Sequence, residues 1–106
     1  MSNFFGREET LRALTLNAIA DDYEDFEMVI REVTQWSETR GLSFSEEEIA
    51  NALLKLVDEG LAQAWRLGNT PQQIRVTRQS IAGQDVYFII SASGKLVHAK
   101  LSPGPA

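Results

Sequence analysis

The stretch Ser45–Trp65, SEEEIANALLKLVDEGLAQAW, marks both ends of one helix and the start of the element that follows. Ser45 and Glu48 form an S-x-x-E capping box. The serine oxygen accepts from the Glu48 amide, and the Glu48 carboxylate accepts from the Ser45 amide. Ile49, Ala52, Leu53, Leu56 and Val57 recur at helical spacing and predict the buried stripe. Gly60 suits the left-handed position that stops a helix, and Leu61 suits the apolar contact that closes such a stop. LAQAWRL then reads as a strand. A helix that reverses into a strand across one glycine calls for a sheet packed on that helix, so the chain is expected to be α+β.

Two helices precede this unit. Glu8 to about Ala20 places Leu11, Leu14, Ala18 and Ile19 on a core face. Leu16 falls off that stripe and, with Ala13 and Ala20, gives a second apolar surface. Tyr23 to Glu38 is the second helix, with Asp21 and Asp22 as its cap. Phe26, Val29, Ile30, Val33 and Trp36 form its apolar face, and Gly41 stops it. The linker Leu42–Ser45, LSFS, alternates and would suit a single bridge to a sheet.

After the strand, Gly68, Asn69 and Pro71 make a turn. QIRVTR, Gln73 to Arg78, alternates as a second strand would, and VYFII, Val86 to Ile90, is the clearest strand. The segment between the outer strands, Gly68 to Gln84, is long for a hairpin tip. It reads either as an extended flexible loop or as one holding QIRVTR as an extra strand. SASGKLVHAKL reads as a final helix capped by Ser91 or Ser93. The length of 106 residues suits one domain, assigned to 1–101, with SPGPA at 102–106 as a flexible tail.

Charge is unevenly spread. Residues 1–62 hold 5 basic and 14 acidic side chains, whereas residues 63–106 hold 5 basic and 1 acidic. An acidic first half repels phosphate and a basic second half attracts it. The plainer alternative is a solvated acidic surface with scattered arginines. The chain has no cysteine, which excludes disulfides, thiolate metal sites and a cysteine nucleophile. No membrane-spanning apolar run and no signal peptide are evident, so a cytoplasmic protein is expected.

An enzyme is not expected. The one histidine, His98, has no partners at metal-ligand spacing, and no glycine-rich phosphate loop is present. No cofactor, metal or small-molecule ligand is implied. Glu46, Glu47 and Glu48 are accounted for by the favourable charge at a helix N-terminus.

Three helices followed by two strands resemble the winged helix-turn-helix layout. EEEIANALLKLVDEGLAQAW resembles the recognition-helix phrase of bacterial regulators, and VYFIISASGKLV resembles their closing phrase, in which an aromatic-rich strand runs into serine or threonine, two residues, then glycine. The MarR-like and PadR-like families use both phrases. The resemblance covers about Leu11 to Lys100 and implies a β-hairpin wing, a short final helix, a role in transcription regulation and a homodimer.

DNA contact in such a fold would fall to Asn51 and Lys55 on the third helix and to Arg66, Arg75, Thr77 and Arg78 on the wing. Yet the outward face of that helix also carries Glu47, Asp58 and the apolar Leu54, and no arginine. Ala50 and Leu54, with Leu16 and the Phe4–Phe5 pair, are candidate interface residues. The balance favours a non-enzymatic module for protein–protein interaction or dimerisation over a DNA-binding regulator.

Overall fold

The backbones of Glu24 and Phe88 exchange two hydrogen bonds, of 2.9 and 2.8 Å, and tie the helical half of the chain to its last strand. A computed structural model describes residues 6–101. It is an α+β fold of four helices and one three-stranded antiparallel sheet. Helices α1 (Arg7–Ala18), α2 (Phe26–Glu38) and α3 (Glu46–Asp58) come first. Strands β1 (Ala62–Arg66), β2 (Gln72–Ile74) and β3 (Val86–Ile90) follow, and α4 (Ala92–Leu101) closes the described chain. The sheet order is β2-β1-β3. Ala64 is the pivot, paired with Ile74 on one side and Phe88 on the other.

The helix ends follow local chemistry. The Glu48 amide donates to the Ser45 hydroxyl oxygen at 3.1 Å, and the Ser45 amide donates to the Glu48 carboxylate at 2.9 Å. At the other end of α3, the Leu61 amide reaches the Leu56 carbonyl and the Gly60 amide reaches Val57, with Gly60 at φ 79°. A side chain at that φ would strain the backbone.

Helix α2 starts later than its sequence suggests. Asp25, not Asp21 or Asp22, is the cap, and its carboxylate accepts from the Met28 amide at 2.9 Å. Tyr23 to Asp25 run extended because Glu24 is spent on the bridge to Phe88. The expected bridge at Leu42–Ser45 is therefore found between α1 and α2 instead. Only Gln73 and Ile74 of QIRVTR join a strand, the three-residue β2, Gln72–Ile74.

The chain beyond β2 does not extend away as a flexible tip. It folds back, and Ile81 lies fully buried with Phe88, Ile19, Leu53 and Val33. Burying each such side chain contributes about 1.5–3 kcal/mol. Trp65 and Tyr87 have the opposite strand parity from the buried Ala62, Ala64 and Phe88, so they sit on the outer face of the sheet and do not pack on the helices.

Candidate functional site

Helix α3 is gripped from more than one side. Helices α1 and α2 and strand β1 all pack against it. This widens its buried arc beyond one stripe, so Ala50 is fully buried beside Ile49, Leu53 and Leu56, while Ala52 and Val57 are only half-buried. Ala50 is thus removed from the candidate interface. Leu16 is removed for the same reason: α1 packs on α2, α3 and α4, which leaves Leu16 no exposed side. Leu54 is half-buried. Phe4 and Phe5 lie outside the described residues.

What α3 presents to solvent is Glu46, Glu47, Asn51, Lys55 and Asp58. Asn51 and Lys55, four residues apart, share one face and line a groove of about 410 Å³ between α1 and α3. Leu11 and Phe44 give that groove an apolar lining, and Arg7 and Arg12 stand on its α1 wall.

Three arginines neutralise the glutamates at the two ends of α3. Arg7 donates to Glu48 at 2.9 Å and to the Ser43 carbonyl at 2.6 Å, with its guanidinium 4.4 Å from the Phe44 ring centre. The Ser45 amide and then the Arg7 guanidinium hold the Glu48 carboxyl below its ordinary range. Arg12 pairs with Glu59 at 2.6 Å. Arg78 donates to Glu47 at 3.0 Å and stands 3.7 Å from Glu46, with its guanidinium 5.9 Å from the Phe26 ring centre.

This pairing divides the residues expected to contact DNA. Arg78 is paired with Glu46 and Glu47 of α3 while its side chain stays 39% exposed. The hydroxyl of Thr77 lies 3.4 Å from that of Ser80, and the Thr77 amide donates to Ser80 at 2.9 Å, so this residue shapes a turn. Arg66 is exposed at the end of β1, Arg75 is exposed just after β2, and Asn51 and Lys55 are exposed on α3. The roles of Arg7 and Arg12 were not visible in the sequence. Arg7 opens α1 and Arg12 lies near its middle, and only the packing of α1 against α3 brings them to Glu48 and Glu59.

His98 bridges α4 and α1, its Nε2 lying 2.8 Å from the Asn17 side-chain oxygen. Among the described residues, no group of three or more His, Cys, Asp or Glu side chains is placed to hold a metal ion, and no helix is long and apolar enough to cross a membrane. No protein-family model matches the chain, and neither the curated proteins nor the solved structures hold a significant match to it.

Proposed function

We propose that this chain is a winged-helix module of bacterial-regulator type that works through protein contacts, as a non-enzymatic homodimer. Support for the fold reading comes from the element order, with the Glu24 bridge as the short first strand, β1 and β3 as the wing strands, and α3 in the recognition position. Support also comes from the closing phrase: Ser91 caps α4, and Gly94 packs where a side chain would overlap the Leu61 carbonyl oxygen.

The observation that carries the functional reading is the Arg78 pairing with Glu46 and Glu47. It spends the wing cation nearest α3 on neutralising α3 itself. The exposed face left on that helix has one cation, Lys55, among Glu46, Glu47, Asn51 and Asp58. Phosphate neutralisation usually dominates DNA affinity, and this face supplies little of it. DNA binding stands as the second reading because Asn51 and Lys55 are both exposed on one face, with Arg66 exposed on β1 and Arg75 exposed just after β2.

Titration of a mixed-sequence duplex at low salt, followed by anisotropy, tests the choice. No binding is expected. Binding that weakens steeply as salt rises would establish the DNA reading instead.

A further inference from the structure

We draw no further inference here: the strongest candidate, the apolar-floored groove of about 410 Å³ between α1 and α3, matches Arg7, Arg12 and Lys55 with Glu8, Glu9 and Glu48 among its own lining residues, so its charge favours no one occupant and nothing in the structure shows what covers it.

Discussion

The Ser91 hydroxyl donates to the Gly60 carbonyl at 2.7 Å, while the same oxygen accepts from the Gly94 amide at 2.9 Å. One side chain caps α4 and fastens it to the turn that ends α3. The Ser91 amide adds a bond to the Leu61 carbonyl at 3.0 Å. The two cysteine-free halves of the fold are joined here by hydrogen bonds and by the close approach that Gly94 permits.

Ser91→Ala should therefore cost about 1–2 kcal/mol, since it removes a cap and leaves the Gly60 carbonyl without its partner. Gly94→Ala should cost more than about 3 kcal/mol, because a methyl there overlaps the Leu61 carbonyl oxygen and the Ile90 side chain. Ser93→Ala, at an exposed position, should change little. Urea denaturation of the three variants checks the order. Equal losses for Ser91→Ala and Ser93→Ala would remove the joint.

Acid titration should expose two opposed carboxylate effects. Burial first, then Asp21, pushes the Glu32 carboxyl above its ordinary value of 4.5. Burial and then Glu32 itself do the same to Glu24. The folded state holds these protons more tightly than the unfolded chain, so their charged forms cost stability at neutral pH. Glu32→Gln should stabilise at pH 7 by about 0.5 kcal/mol or less, and the gain should shrink as pH falls towards 4.5. Glu48 has the opposite sign. Its lowered pKa contributes stability that is complete above 4.5 and lost as pH falls through its folded value. Thermal melts of Glu32→Gln and Glu48→Gln at pH 7 and pH 4 check both directions.

Arg78→Ala should lower stability by roughly 0.5–1 kcal/mol, and the loss should nearly vanish in a background carrying Glu46→Gln and Glu47→Gln. A double-mutant cycle by denaturation measures this coupling. If Arg78 served DNA instead of α3, the cycle would show no coupling and the loss would appear only in duplex affinity.

Features written in adjacent residues were legible in the sequence. The Ser45–Glu48 box, the Gly60–Leu61 stop and the Ser91-x-x-Gly94 entry to α4 each depend on neighbours within five positions. The strand VYFII was legible for the same reason. Which strand face turns inward was not. The alternation in AQAWR and VYFII marks two faces, but only the pairing of Ala64 with Phe88 assigns Trp65 and Tyr87 to the outside. Ala50 and Leu16 were placed outside because a helical wheel allows one buried arc, whereas α1 and α3 each pack on several elements. The arginine pairs with α3 span 31 to 47 positions in sequence and carry no local signal.

The segment after β2 gives the sharpest separation between a loose loop and a built one. Ile81 stands in a stretch without regular structure, flanked by exposed Ser80 and Ala82, yet it is fully buried in the core. The turn that delivers it is closed by the Ser80 amide on the Thr77 carbonyl at 3.1 Å and the Gly83 amide on the Ser80 carbonyl at 2.9 Å. Arg78, on the same turn, holds it against α3. If this segment is an integral part of the core, Ile81→Ala should cost about 2–5 kcal/mol, the range for a cavity left by a buried aliphatic side chain. Ile81→Val should cost about 0.5–1.5 kcal/mol. If the segment were a flexible tip, both changes would fall within about 0.5 kcal/mol of wild type. Denaturation of the two variants, with hydrogen exchange of the Gly83 and Val86 amides, decides between them. Protection at those amides should fall with Ile81→Ala, because both donate to carbonyls of the turn that Ile81 anchors.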